Sequence, residues 1–509
     1  MLKPVFMPKK PVVPGTGSCE TGGMLYIIFT GTFNHIRICQ IMKQAVVSAD
    51  FSRKMKDRIK PLHGVNNSPM SLYEPPKGFR EAGIPFCRLH DTGGTFGGSR
   101  YVDIPNIFPD FDADPKKPES YDFAFTDAYL TQLHAAGTQI FYRLGVTIEN
   151  NYRIKAYHNH PPKDFKKWAE ICAGVVRHYN CGWANGFKFG IKYWEIWNEP
   201  ENPPMWSGTR EQYFELYRIT SNRLKKEFPY LKVGGYASCG FYAVNRSGCT
   251  DFYKGFVTWY DEFLKFVTAK KTRCPLDFYS WHLYTWDPEE IILHARYVDS
   301  KLKEYGLTQV ENIFNEWNYI SKKPDRRFLE MKDNEGASFV GAAFCLMQDS
   351  PVDKAMYYDA YPQRAYCGLY HFPGSRTTQT YSAFAMWNLL YKLGGHCAAR
   401  SGGKNLYTCA AADRTGKAWF ITNFNDESRS VTLDPKGARL KEFTARIIDR
   451  RHDNAPFALS KQIVMPPYST LLLTTVKDES ENAAKSARKP AAAVHAGLDD
   501  NTEKKGKKK

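Results

Sequence analysis

From about residue 58 the chain alternates short apolar runs with amphipathic stretches, one run every 25–50 residues or roughly so, the texture of a repeating βα unit. Eight runs read as strands: 59–65 (IKPLHGV), 85–90 (PFCRLH), 139–146 (QIFYRLGV), 193–198 (YWEIWN), 231–237 (LKVGGYA), 276–284 (LDFYSWHLY), 312–317 (NIFNEW) and 354–361 (KAMYYDAY). Helical periodicity lies between most of them, at 125–136, 164–179, 210–227, 252–268, 288–305 and 337–348. Eight such units predict an α/β fold closed into a (β/α)8 TIM barrel. A doubly wound open sheet is the alternative, but no GxGxxG or phosphate loop opens the first unit.

The pattern changes on either side of this region. After a helix at 382–390 come short alternating strands such as AWFITNF and STLLLTT, which predict an accessory C-terminal antiparallel β-sandwich. The expected organisation is an N-terminal extension, partly disordered (1–57), a catalytic barrel (58–394), a β-sandwich (395–476) and a disordered basic tail (477–509). Residues 1–41 are rich in Pro and Gly without periodicity, and Met42 is a candidate natural start. Two long loops, 91–121 and 201–209, fall after the second and fourth strands, where barrel enzymes build their pockets.

Chemistry concentrates at the strand ends. Glu199 follows the fourth strand in YWEIWNEP, and Glu316 lies near the end of the seventh in NIFNEWN. A carboxylate at the C-terminal end of a barrel strand stands where such folds place their reactive groups. Two of them are what glycoside hydrolysis needs: one protonates the leaving oxygen, and the other attacks the anomeric carbon or activates water. Trp197 and Trp206 are candidates to desolvate Glu199. Arg88 and His90 on the second strand, and His282 and Tyr284 on the sixth, are spaced i, i+2 and so share a strand face. Asn198 is suited to bond a sugar 2-hydroxyl; His63 and Trp317 complete the candidate substrate-binding set. Glu195 shares the parity of Glu199 and reads as a structural ion-pair partner, while Glu149 and Asn150 follow the third strand without an assigned role. No His/Cys/carboxylate spacing suggests a metal, and no cofactor is expected.

Composition narrows the partners. Net charge is +17, but residues 1–60 carry ten Lys/Arg against three Asp/Glu and residues 477–509 nine against six, so over half of the excess is terminal. With no zinc-finger or RNA-binding signature, nucleic acid is not an expected partner. No run reaches the length of a membrane span. The twelve cysteines lack a close CxxC pair, and Cys87, Cys172 and Cys345 sit in apolar patterns, pointing to reduced thiols and a cytoplasmic location. The expected partner is an oligosaccharide or glycoside substrate.

WNEP on the fourth strand, FNEWN on the seventh, RLH on the second and WHLY on the sixth resemble glycoside hydrolase family 39 (β-xylosidases and α-L-iduronidases), over roughly residues 58–475. The resemblance implies a retaining double displacement without metal, with Glu199 as general acid/base and Glu316 as nucleophile. It also implies that Asn198, His282 and Tyr284 contact the substrate or nucleophile, and that Arg88 and His90 line the subsite of the cleaved sugar. The insert YVDIPNIFPDFDADP (101–115) departs from the xylosidase pattern. The expected activity is that of an exo-glycosidase on xylose- or arabinose-type glycosides; an endo-acting glycanase of the same clan and a non-catalytic carbohydrate-binding protein on a decayed barrel are the alternatives.

Overall fold

The computed structural model describes residues 44–69, 78–92, 102–147, 159–374 and 376–477. The N-terminal residues 1–41, most of the basic tail, Tyr101, Glu149 and Asn150 lie outside the described residues.

The first strand, β1 (Gln44–Arg58), precedes a closed barrel of eight parallel strands: β2 (Gly64–Asn66), β3 (Phe86–Leu89), β4 (Gln139–Leu144), β5 (Tyr193–Ile196), β6 (Lys232–Ser238), β7 (Phe278–Thr285), β8 (Glu311–Tyr319) and β9 (Lys354–Tyr357). The helices that follow them are α1 (Phe79–Ala82), α2 (Ile104–Ile107), α3 (Ala124–Ala135), α4 (Phe165–Cys181), α5 (Arg210–Glu227), α6 (Asp251–Thr268), α7 (Pro288–Glu304), α8 (Asn334–Gln348) and α9 (Gln379–Leu393). The extra helix, α2, belongs to the long β3–α3 connection. It is fastened through buried Asp103, which accepts hydrogen bonds from Arg143 Nη2 (2.7 Å) and Thr147 N (2.8 Å). Helix starts carry readable caps: Asp164 for α4, a Thr209–Gln212 capping box for α5, and Asp287 followed by Pro288 for α7.

The barrel closes where β2 pairs with β9, Gly64 opposite Met356. A Cβ on Gly64 would lie 2.7 Å from the Ala355 carbonyl oxygen, so the seam depends on glycine there. Inside, the lower layer is an apolar plug of Phe86, Phe141, Tyr193, Phe278, Ile313 and Met356. Two residues further along five of these strands the inward positions turn polar: Arg88, Arg143, Glu195, Ser280 and Asn315, all buried. The chemistry therefore sits on a packed floor.

A second sheet of nine strands has the order β15-β14-β17-β12-β11-β10-β1-β13-β16. Its later strands are β10 (Gly395–Ser401), β11 (Leu406–Ala412), β12 (Lys417–Asn423), β13 (Arg429–Lys436), β14 (Thr444–Ile448), β15 (Ala455–Pro456), β16 (Gln462–Met465) and β17 (Ser469–Thr474). The sheet encloses its own core, with Val47, Trp419, Ile421, Leu433, Ile447 and Leu473, giving the expected sandwich-like accessory domain. It packs on the barrel through α8 and α9; Trp387 meets Phe420 edge-on at 5.7 Å.

One domain boundary needs correction. Residues 44–57, assigned from sequence to the N-terminal extension, are almost all of β1, which lies inside the second sheet, antiparallel to β10 and parallel to β13. Ala45, Val47, Ala49 and Phe51 are buried on alternate positions, the period of a half-buried strand.

Candidate functional site

The mouth of the barrel is organised around Arg88. Its guanidinium is fully buried and donates to Glu195 Oε2 (2.7 Å), Asn66 Oδ1 (3.0 Å), Glu316 Oε2 (3.0 Å) and Asn198 Oδ1 (2.6 Å). Glu195 also accepts from Ser280 Oγ (2.6 Å) and Asn315 Nδ2 (2.5 Å), so its charge is fully engaged below the mouth, in the ion pair expected from sequence.

Glu316 reaches this cluster because β8 carries a bulge. In the pairing of β7 with β8, Trp281 faces Phe314 but His282 faces Glu316, so Asn315 is the extra residue. Asn315 and Glu316 consequently both turn inward: Asn315 to Glu195, Glu316 to Arg88 and to the Tyr284 hydroxyl, which donates to Oε1 at 2.6 Å. Burial and the Glu316 charge hold the Tyr284 phenol far above its ordinary range, so it remains a donor.

Glu199 is presented by a strained turn. β5 ends at Ile196, after which Trp197 (φ 75°) and Glu199 (φ 44°) are left-handed. The turn is tied down by Trp197 N to Leu144 O (2.7 Å) and Glu199 N to Ala237 O (3.0 Å). It sends the Trp197 ring outward against Trp168 and Trp206, Asn198 inward to Arg88, and Glu199 towards His282. Glu199 Oε1 lies 2.7 Å from His282 Nδ1, and Oε2 accepts from Asn202 Nδ2 at 2.9 Å. Burial pushes the Glu199 carboxyl up, but the His282 contact and the Asn202 amide outweigh it and leave the group below its ordinary range. His282 Nε2 is buried without a hydrogen-bond partner and stands 3.7 Å from Glu316 Oε2. One oxygen each of Glu199 and Glu316, with one His282 nitrogen, all lie within 4.8 Å of one another. That spacing could admit a metal ion, and sequence spacing alone gave no sign of it.

Seven of the nine candidate residues thus meet at one mouth: Glu199, Glu316, Asn198, His282, Tyr284, Arg88 and His90. His90 is the most peripheral. Its Nε2 lies 3.4 Å from Asp91 Oδ1, and burial, with the charges of Arg88, Arg143 and His282, keeps its ring well below the ordinary imidazole range.

Two candidates are corrected. His63 precedes β2 and is at the opposite end of the barrel, where its Nε2 lies 3.4 Å from Asn388 and its ring packs edge-on to Tyr391, both of α9. Burial drives it down to about 3, so it is a neutral core residue. Trp317 follows the bulge and points outward, stacked on Phe314 and packed on Phe344 and Tyr357. The proposed desolvation of Glu199 by Trp197 and Trp206 is also replaced. Both rings lie behind the turn, with their N–H groups on the Met205 and Thr209 carbonyls. Missed from sequence were Asn66, Asn202 and Glu201. Asn66 closes β2 as Arg88 nearly closes β3, a strand-end position that could have marked it.

Fold and site together resemble those of glycoside hydrolases: a (β/α)8 barrel with two facing glutamates at its mouth. Residues 105–335, which carry both glutamates, match the model of glycosyl hydrolases family 39, so the resemblance read from the motifs stands. The β-xylosidase of Geobacillus stearothermophilus is 27% identical over 207 residues, 37% of this chain and 37% of that protein. The chain thus spans well under half the length of the curated relatives it matches. A glucosidase from Croceicoccus marinus superposes with TM-score 0.68 at 22% identity, covering 86% of this chain and 99% of that one. A family 39 β-xylosidase from Caulobacter crescentus superposes with TM-score 0.61 at 17% identity, covering 85% of this chain and 100% of that one. Among the described residues no helix is long and apolar enough to cross a membrane, and the ten cysteines form no disulfide.

Proposed function

We propose that the protein is a retaining exo-glycosidase acting on xylose- or arabinose-type glycosides, β-xylosides first and α-L-arabinosides second. The observation that carries this reading is that one carboxylate oxygen of Glu199 and one of Glu316 lie within 4.8 Å of each other. Retaining pairs stand about 5–5.5 Å apart, whereas an inverting pair needs about 6.5–9.5 Å to seat a water. The β-xylosidase names of the curated relatives support the sugar class.

In this reading Glu199 gives its proton to the glycosidic oxygen while Glu316 attacks the anomeric carbon. The C–O bond breaks, the alcohol leaves, and a glycosyl ester forms on Glu316. Glu199, now ionised, takes a proton from water; the water oxygen displaces Glu316 from the anomeric carbon and frees the sugar. Asn198, oriented by Arg88 through its Oδ1, presents its amide N–H groups to the sugar 2-hydroxyl.

The test is a panel of aryl glycosides (β-D-xyloside, α-L-arabinofuranoside, β-D-glucoside) with wild type and Glu316→Ala side by side. Turnover of one sugar, lost in the variant, with the first-formed product keeping the substrate's anomeric configuration by NMR, supports the reading. An inverted first product would exclude the double displacement.

A further inference from the structure

Tyr366, in the β9–α9 loop, is a large ring held in the open at the mouth of the site. It is 37% exposed. Its backbone is left-handed, φ 59°, a conformation that non-glycine residues keep only when the surroundings enforce it. The enforcement is visible. The Tyr366 carbonyl accepts from Asn318 Nδ2 (2.7 Å) and from Asp359 N (3.2 Å). Asn318 is fully buried on β8, two residues beyond Glu316, and is itself fixed by donating to Tyr358 O (2.5 Å) and accepting from the Tyr357 hydroxyl (2.5 Å).

The ring so placed stands beside Tyr284, centroids 5.7 Å apart, and the Tyr284 hydroxyl is bonded to Glu316. Tyr358 at 5.9 Å and Phe328 at 5.0 Å flank it. All three contacts are edge-on, with interplanar angles of 61–71°, so none of these rings lies flat on Tyr366. Gln363 and Arg364 precede it on the same loop, and exposed Leu329 adjoins Phe328. A partly exposed ring on which none of these neighbours lies flat suits the C–H face of a pyranose ring.

We propose that Tyr366 is the platform of an entrance subsite that stacks on the pyranose next to the one being cleaved, and that the substrate is therefore a short oligosaccharide. This rests on the reading of Glu199 and Glu316 as the catalytic pair.

The experiment compares wild type, Tyr366→Ala and Tyr366→Phe on β-1,4-xylobiose and on β-D-xylopyranosyl fluoride, which has no second ring. The ratio of kcat/KM for xylobiose to that for the fluoride falls about tenfold in Tyr366→Ala, the scale of one aromatic contact, and returns in Tyr366→Phe. Equal losses on both substrates, or no loss, overturn the subsite. Tyr366→Leu, apolar but without a flat face, takes the place of the alanine variant if that does not fold. If wild type hydrolyses neither compound, the proposed activity on xylosides has failed, and the subsite is judged by xylobiose binding, followed by intrinsic fluorescence. Binding weakened about tenfold by Tyr366→Ala upholds it. Binding that is unchanged, or absent in wild type, overturns it.

Discussion

Replacing Arg88 with methionine should reveal two separate duties of one side chain. The guanidinium makes four hydrogen bonds, two of them to the carboxylates of Glu195 and Glu316. Met keeps the length of the stem but leaves Glu195 buried without a cation, which costs about 3–5 kcal/mol of stability. Glu316 keeps Tyr284 but loses a charge-assisted hydrogen bond of about 1.5–3 kcal/mol, a drop in kcat/KM of roughly 10- to 150-fold. Adding Glu195→Gln removes the uncompensated charge, while the amide can still meet Ser280 and Asn315. The double variant should therefore recover about 2 kcal/mol in denaturant unfolding, yet stay as inactive as the single one. Urea titrations and aryl-glycoside turnover on the two variants make the comparison. A double variant no more stable than Arg88→Met would mean the buried charge is not what Arg88 offsets. Activity returning together with stability would mean that Arg88 serves the fold alone.

Glu199→Ala should lower kcat/KM at least about 100-fold on xylobiose and far less on a dinitrophenyl glycoside, whose leaving group hardly needs a proton; equal losses would remove Glu199 as the acid. Because Glu199 lies below its ordinary range in the free protein, and a bound sugar would cover its last exposed edge, the alkaline limb of kcat should lie at higher pH than that of kcat/KM. Coincident or reversed limbs in the two profiles would count against this. Glu290, on α7, is pushed up by burial but pulled down to about 2 by Arg246, Thr285 and Asn245, so its folded value lies below its unfolded one. About 3 kcal/mol of stability present above pH ~4.5 should be lost as pH falls toward ~2, and Glu290→Gln should flatten that arm of the stability–pH curve.

The parts of this molecule legible in the sequence are those governed by local pattern. Barrel strands buried on both faces give continuous apolar runs, and the i, i+2 spacing in RLH and WHLY put Arg88, His282 and Tyr284 on the inner face. What local pattern could not carry was lost. β1 alternates clearly over 45–51, but its partners β10 and β13 lie about 340–390 residues away in the chain, so nothing nearby marked it as a strand of that sheet. His63 was misplaced because the apolar run 59–65 hides where pairing begins. The ladder starts at Gly64, so the residue before it is at the closed end of the barrel. Strict alternation from Ile313 would send Trp317 inward and Glu316 outward. The bulge at Asn315 reverses both, and a bulge of this kind leaves no mark in the hydrophobic pattern.

The two glutamates differ most in the kind of partner each is given. Glu316 is hydrogen-bonded by a phenol and a guanidinium, neither of which exchanges protons near neutral pH, while His282 Nε2 stands farther off at 3.7 Å. Such partners hold the carboxylate in one orientation. Glu199 meets an imidazole, which can give or take a proton, and an amide that donates. Behind it Glu201 is buried, with Oε1 on Cys239 N at 2.7 Å and Oε2 without a partner. Burial and the Glu199 charge raise the Glu201 carboxyl well above the usual range, which disfavours a second negative charge beside Glu199. In the proposed mechanism Glu199 releases a proton and regains it within one catalytic cycle, and His282, 2.7 Å away, is placed to share that proton. The left-handed backbone at Trp197 and Glu199 then makes structural sense: a regular continuation of β5 would not bring Glu199 to His282 while holding Asn198 on Arg88.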